Sequence, residues 1–281
     1  MTGNEAMVEL WNSPAAATWA THAERYDAML GPLGELVLAA AGLVPGERVL
    51  DVGCGAGQLT CQAAAAVGPT GRVLGVDVAR DLLAVTRRRA GEAGLANVDA
   101  IEADAQVAQL SSYDVVISRF GVMFFADPGA ALANLLAAVV PGGRLAFVCW
   151  QAAPLNEWIT VPLLAAAEHV GFPEPPQPDA PGPTAFADPE RVRRLLGEAG
   201  WVDVVLTDVQ TMVRPGGART ADEAVAFICE DTFGTMMLDK AAPHARAAAV
   251  AAIREAYAAR LGPDGVQLKA AVWVVTARRS S

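Results

Sequence analysis

Apolar residues fall in short runs, each closed by a glycine, a proline or an acid, with alanine- and leucine-rich stretches of helix length between them. The run Arg48-Val49-Leu50-Asp51-Val52 follows a Pro45-Gly46-Glu47 turn and has the length and β-branched content of a buried strand. Further strands are predicted near 72–76, 98–102, 114–118 and 144–150, the last entered through the turn Pro141-Gly142-Gly143-Arg144. Between them, 59–67, 81–93 and 128–139 read as helices. Strand-helix alternation with near-continuous apolar strands predicts a parallel sheet covered on both faces.

The flanks are patterned differently. Ser13 is a candidate cap and Pro14 a first-turn residue for a helix over 15–30. On it Trp19, His22 and Tyr26 share one face at i, i+3 and i+7. A second helix, over 32–41, is stopped by Gly42. After residue 150 the pattern predicts helix at 155–169, a proline-rich loop at 172–183, and helix at 189–199. A strand at 202–212, helices at 221–231 and 244–261, and a last strand at 266–277 follow. The expected division is N-terminal lid helices over 1–44 and a main domain over 45–281, with cap insertions at about 151–187 and 214–262.

Composition narrows the partners. With 53% apolar and 19% charged residues in 281, a sizeable core is easily built. The formal charge of −10, from 31 acidic and 21 basic residues, is opposite to that of a protein neutralising many phosphates. The one tight basic run, Arg87-Arg88-Arg89, reads as a solvated helix face, so no nucleic-acid partner is expected. Cys54, Cys61, Cys149 and Cys229 form no CxxC pair and no zinc spacing with histidine, and read as buried reduced thiols with no metal. There is no basic start leading into an apolar stretch, and no uncharged apolar run reaches membrane-spanning length. A soluble cytoplasmic protein is predicted. Its oligomeric state is not legible.

The chemistry is carried by VLDVGCGAGQLT, residues 49–60. A strand ends at Asp51, Gly53, Gly55 and Gly57 alternate, and a helix begins. Alternate glycines let a backbone approach a ligand, and the helix start offers free N–H groups. A dinucleotide loop would read G-x-G-x-x-G, whereas here the third packing position is Gln58. The acid before the glycines suits a cationic ligand group and would be poor company for a pyrophosphate. Asp77 ends the second strand about 20 residues on, where a carboxylate hydrogen-bonds ribose hydroxyls. Asp104 and Ala105 follow the third strand, at an adenine-side position. Taken alone, Asp104 reads as a solvated loop acid.

These segments, with GVDVARDLL, EADAQ, YDVVISRFGVMFFADP and LLAAVVPGGRLAFVCW, resemble the successive motifs of class I S-adenosylmethionine methyltransferases. They are similar to the branch containing ubiquinone/menaquinone C-methyltransferases and natural-product enzymes. The likeness is close over about 45–150 and holds only in outline beyond. It implies an α/β, Rossmann-like, seven-stranded mostly parallel sheet with helices on both faces and a helical lid. It implies S-adenosyl-L-methionine as cofactor and Asp51, Gly53, Cys54, Gly55, Gln58, Asp77, Val78, Asp104, Ala105 and Ser118 as residues around it. The stretch Ser118-Arg119-Phe120 falls where the family places residues near the methionine end and the acceptor. No N/D-P-P-Y/F motif follows the fourth strand, so the usual mark of amino-group methylation on DNA bases is missing. A small organic acceptor, methylated at carbon or oxygen, is expected. An NAD(P) oxidoreductase is the rival enzyme class, and a cofactor-binding protein without methyl transfer is the rival outside it.

A sulfonium already carries its leaving group, so the catalytic residue is harder to read than the cofactor loop. His22 is the candidate base, with Tyr26 beside it in contact with the acceptor. Its alternative is a helix-surface histidine. Arg119, at the carboxyl end of a core strand, either holds an anionic acceptor or pairs with a cleft carboxylate. His169 reads as a helix-end residue and His244 as exposed. Trp11, Trp19, Trp150 and Trp158 are candidates for an aromatic pocket or for ordinary packing.

Overall fold

Helix begins earlier than the polar start suggested. In the computed structural model, which describes residues 4–14, 16–175, 177 and 179–281, α1 (Glu5–Trp11) precedes α2 (Ala17–Thr21) and α3 (Ala23–Ala41). The helix expected over 15–30 is broken at His22, whose φ of −106° and ψ of 26° close α2 and open α3. Its expected first residue, Ala15, lies outside the described residues, as do 176 and 178 of the proline-rich loop. Pro32 does not start a second helix, because α3 runs straight through it to a left-handed Gly42 at φ 55°. Proline forfeits one backbone bond there. Burial of Leu30, Leu33 and Val37 on the same helix holds the turn together.

The central alternation follows the pattern. It comprises β1 (Arg48–Val52), α4 (Gln58–Val67), β2 (Arg72–Asp77), α5 (Arg80–Glu92), β3 (Val98–Glu102), β4 (Tyr113–Arg119), α6 (Pro128–Ala138) and β5 (Val139–Trp150). The expected turn at 141–144 lies inside the irregular start of β5, where Gly142 has φ 77° and the register against β4 shifts. Then come α7 (Glu157–Val170), α8 (Pro189–Glu198), β6 (Val202–Val213), α9 (Ala221–Glu230), α10 (Thr232–Leu238) and α11 (Pro243–Ala258). The pattern did not announce α10. Nor did it announce the hairpin of β7 (Leu261–Gly262) and β8 (Gly265–Val266), which splits the expected last strand and leaves β9 (Leu268–Arg278).

The seven-stranded sheet has the order β3-β2-β1-β4-β5-β9-β6, parallel except that β9 runs antiparallel to both neighbours. Helices α3, α4 and α5 form one covering layer and α6 with α8 another. The strand order reverses between β1 and β4, and open α/β sheets bind ligands beyond the carboxyl ends of the strands at such a point. The N-terminal segment divides in two. Helix α3 belongs to the layer on β4, β5 and β9, with Leu33 and Val37 fully buried. Helices α1 and α2 contain no fully buried residue of their own. Helix α7 packs on α11, and α9 joins α10 and α11.

Candidate active site

The loop between β1 and α4 is shaped by two close approaches. Gly53 has φ 65°, and a Cβ there would stand 2.7 Å from Cα of Gly121. Gly55 has φ 55°, and a Cβ there would meet nothing within 4 Å. Gly55 also lines the cavity described below. The loop is anchored by Asp77: the N–H of Gly55 donates to Oδ2 at 2.8 Å and that of Ala79 to Oδ1 at 2.9 Å. Burial raises the Asp77 carboxyl, opposed by those backbone donors. Thr86 donates to the Gly55 carbonyl at 2.7 Å, and Arg89 to that of Ala56 at 2.9 Å.

Asp51 is fully buried at the end of β1. The Thr60 hydroxyl donates to its Oδ2 at 2.6 Å, while Oδ1 is buried without a partner. Desolvation pushes its pKa up to about 7, against the opposing Thr60 bond and the charge of Arg119. An orphaned buried carboxylate oxygen costs stability unless a partner completes it.

Arg119 projects from the end of β4 into the cavity wall. Its Nη2 lies 3.5 Å from Asp27 Oδ1, and Asp27 Oδ2 lies 2.7 Å from Arg89 Nη1. Gln58 accepts a short hydrogen bond from Arg119. Of the two roles open to Arg119, pairing with a cleft carboxylate is the one present. Ser118 is used inward: its hydroxyl donates to the Val52 carbonyl at 2.7 Å and accepts from Gly121 N–H at 3.2 Å, joining the ends of β1 and β4.

A cavity of about 470 Å³ opens above these strand ends. Asp51, Gly53, Cys54, Gly55, Asp77, Val78, Asp104 and Ala105 line it, as do Tyr26 and Arg119. Gln58, Ser118 and His22 do not. The four tryptophans named from sequence, Trp11, Trp19, Trp150 and Trp158, all reach the wall, together with Phe120, Phe124, Phe125, Phe227 and Tyr257. Trp19 stacks on Tyr26 with centroids 3.7 Å apart, and Phe120 on Trp150 at 4.2 Å. His22 instead turns to Glu230, with Nε2 3.3 Å from its Oε2, because the helix break rotates it off the face shared by Trp19 and Tyr26. Among the described residues no cluster suits a metal ion, and no helix is long and apolar enough to cross a membrane.

Sequence reasoning missed Asp27 and Asp231, both on the cavity wall. An acid within the otherwise apolar run YDAMLGPL was a legible signal for Asp27. Asp231 gave none, since its partner is 205 residues away in the chain.

The strand, the glycine loop and Asp51, Asp77 and Asp104 lie within residues 43–161, which match the family described as "Methyltransferase domain". Over that segment the chain is similar to methyltransferase domains. Aklanonic acid methyltransferase of Streptomyces sp. strain C5 is 37% identical over 118 residues, covering 41% of this chain and 54% of that protein. Nocamycin O-methyltransferase of Saccharothrix syringae is 33% identical over 170 residues, covering 57% and 61%. A ubiquinone/menaquinone biosynthesis C-methyltransferase of Ectopseudomonas mendocina is 40% identical over 108 residues, covering 37% and 42%. The chain spans about half the length of the curated relatives it matches. The solved [4+2]-cyclase SpnF shares the fold over 89% of this chain and 81% of its own, at 21% identity and a TM-score of 0.52. Outside that segment, residues of α1 to α3 and of α9 to α11 complete much of the cavity wall.

Proposed function

We propose that the chain transfers a methyl group from S-adenosyl-L-methionine to a small organic acceptor, at carbon or oxygen. The observation that carries this is the buried, unpartnered Oδ1 of Asp51 on a cavity wall that Gly55 also lines, a cradle matched to a ligand with a cationic amino end. Asp51 and Arg119 would hold the amino-acid end, Asp77 and Val78 the ribose, and Asp104 with Ala105 the adenine side. Bound there, the cofactor supplies a methyl on a positively charged sulfur. The chain's own work is to place the acceptor in line and to exclude water, which the aromatic wall does.

The natural-product and quinone relatives support a small acceptor. An apolar, ring-lined cavity in a protein of charge −10 does not suit a polynucleotide. Four free thiols suit a reducing, cytoplasmic setting. Calorimetry is expected to show binding of S-adenosylmethionine and S-adenosylhomocysteine and none of NAD(P). Nicotinamide binding alone would overturn the reading. Because a cyclase is built on this fold, release of S-adenosylhomocysteine only when an acceptor is present is the second requirement. Cofactor binding without it would make the protein a binder that transfers nothing.

A further inference from the structure

We infer that the indole N–H of Trp158 takes the oxygen of the methyl acceptor, and that this acceptor is an uncharged ring compound carrying a carbonyl, an aryl ketone or quinone. The inference rests on the methyl-transfer reading and extends it to what the acceptor end of the cavity recognises.

The cavity lies across the point where the strand order reverses. Asp51, Asp77 and Asp104 stand at or near the ends of β1, β2 and β3, which makes that side the cofactor's. On the other side Phe120 follows β4, Trp150 ends β5, and Trp158 lies in the first turn of α7. Phe120 and Trp150 stack within 10° of parallel, and Trp158 leans on Trp150 at 4.9 Å. Pro181 and Pro183 of the proline-rich loop line the same cavity, with Gly182 between them donating to the Met123 carbonyl at 3.0 Å. Stiff apolar faces of this kind suit a ring.

Trp158 is seated by the two residues before it. Asn156, wholly buried, donates to the Gln151 carbonyl at 3.2 Å and accepts from Ala271 N–H at 3.0 Å. Glu157 accepts from Lys269 N–H at 2.8 Å. The start of α7 is therefore tied to β9 and to the residue that follows β5.

Among the described residues, three buried side-chain polar atoms have no hydrogen-bond partner: Asp51 Oδ1, Gln62 Oε1 and Trp158 Nε1. Gln62 does not line the cavity, whereas Asp51 and Trp158 do, one on each side of the reversal. Other buried indoles are spent on the fold: Trp201 donates to the Leu132 carbonyl at 3.0 Å and Trp273 to that of Ala187 at 2.9 Å. A buried N–H without a partner costs stability, and a ligand oxygen removes that cost. The nitrogen is closed to solvent while the ring is only partly buried, so a small turn of the ring carries the N–H to the ligand.

The donor decides the class of ligand. An indole N–H donates and never accepts, so the group it meets must carry a lone pair, which an ammonium lacks. A carboxylate is disfavoured by the wall's own acids. Asp27, Asp51, Asp77, Asp104 and Asp231 face a single lining cation among the described residues, Arg119, which already stands beside Asp27. A neutral oxygen remains. A carbonyl offers two lone pairs in the plane of its ring and brings no donor that must itself be satisfied. The methyl then goes to a carbon or oxygen near that carbonyl.

The test uses fluorenone and fluorene, flat tricycles that differ in one carbonyl, with the full chain saturated in S-adenosylhomocysteine. The carbonyl stretch of bound, isotope-labelled fluorenone, read by difference infrared spectroscopy, should fall below its value in cyclohexane. Trp158→Phe should return it to that value. The same variant should weaken fluorenone by about 3- to 10-fold, the net range for one hydrogen bond, and leave fluorene within about twofold. Fluorenone that fails to bind, or that keeps its cyclohexane frequency in the wild-type protein, overturns the inference whether or not the variant folds. Equal weakening of both tricycles overturns it too, since Trp158 would then serve packing alone. So does naphthylmethylammonium that binds more tightly than fluorenone, which would mark a cationic acceptor. Failure of S-adenosylhomocysteine to bind at all sinks the methyl-transfer reading instead, and the preliminary calorimetry separates the two.

Discussion

The N–H of Gly55 donates to Oδ2 of Asp77 at 2.8 Å, across 22 residues of chain. The end of β2 therefore holds the glycine loop from the side, and Asp77 both shapes the cradle and lines it. Asp77→Ala is expected to weaken S-adenosylhomocysteine binding by about 10- to 100-fold, the range for a lost hydrogen bond to a charged group. Calorimetry on the variant measures it. Unchanged affinity would mean that the loop keeps its form without this carboxylate and that the ligand does not touch it.

Asp51 makes the same affinity depend on pH. Its folded value of about 7 lies above the 3.8 of an exposed carboxyl, so the ligand-free fold prefers it protonated. The stability this contributes is whole below about pH 4 and is lost as pH rises through about 7. A cationic amino group beside Oδ1 reverses the preference. Binding of S-adenosylhomocysteine should therefore release a proton below pH 7 and tighten as pH rises, by at most about tenfold per unit, levelling above 7. Titrations in buffers of different ionisation heat count the proton, and Asp51→Asn should remove the slope. A flat profile in the wild-type protein would place the amino group elsewhere.

Gly53 and Gly55 separate folding from binding. Both are left-handed, which costs alanine about 1 kcal/mol. At Gly53 the new methyl also strikes Cα of Gly121, so Gly53→Ala should lower the melting temperature clearly. At Gly55 it meets only open space, so Gly55→Ala should melt near wild type while losing cofactor affinity to a methyl in the cradle. Equal loss of affinity and stability in both variants would deny that the open side is the ligand's.

Much of this was legible because it is local. The apolar run of β1, the acid at its end and the glycine spacing lie within a dozen residues, and the same short-range logic marked Asp77 and Asp104. What escaped depends on distant partners. Pro32 reads as a helix start, yet burial of α3 against the sheet carries the helix through it. Gln58 opens α4 and Ser118 lies near the end of β4, close to where the site was expected, but they spend polar atoms on Arg119 and Val52. Asp231 takes the Tyr26 hydroxyl from 205 residues away, a pairing that no pattern around residue 231 names.

His22 is the residue on which spacing and structure part. On an unbroken helix it would share the cavity face with Trp19 and Tyr26. The break places it 3.3 Å from Glu230, off the wall. His22→Gln is expected to change single-turnover methyl transfer by less than about threefold, where a general base would cost roughly 10²–10⁴. A loss in that larger range, with the acidic limb of the rate profile gone, would return His22 to the chemistry.

The N-terminal helix offers the sharpest test of closure, because it touches the cavity without carrying the fold. No residue of α1 is fully buried, yet Met7, Leu10 and Trp11 line the wall. Trp11 meets Trp19 and Phe124 edge-on at 5.5 and 5.3 Å. Asn12 fastens the segment to the rim of β2, donating to the Val78 carbonyl at 2.8 Å and accepting from Arg80 N–H at 3.2 Å. Asn4 accepts from Ala126 N–H at 3.0 Å on the other side. These contacts span the cofactor end of the cavity, while α3 remains seated on the sheet without them. Deleting residues 1–12 should therefore shift the melting temperature by only a few degrees. Methyl transfer should fall at least about tenfold, because a site open to water loses positioning and desolvation. S-adenosylhomocysteine should also bind more weakly and leave faster, which stopped-flow displacement reads directly. A truncated protein that melts normally, binds normally and transfers at full rate would show that α1 is an ornament of the rim and that closure, if the enzyme needs it, comes from α9 and α10.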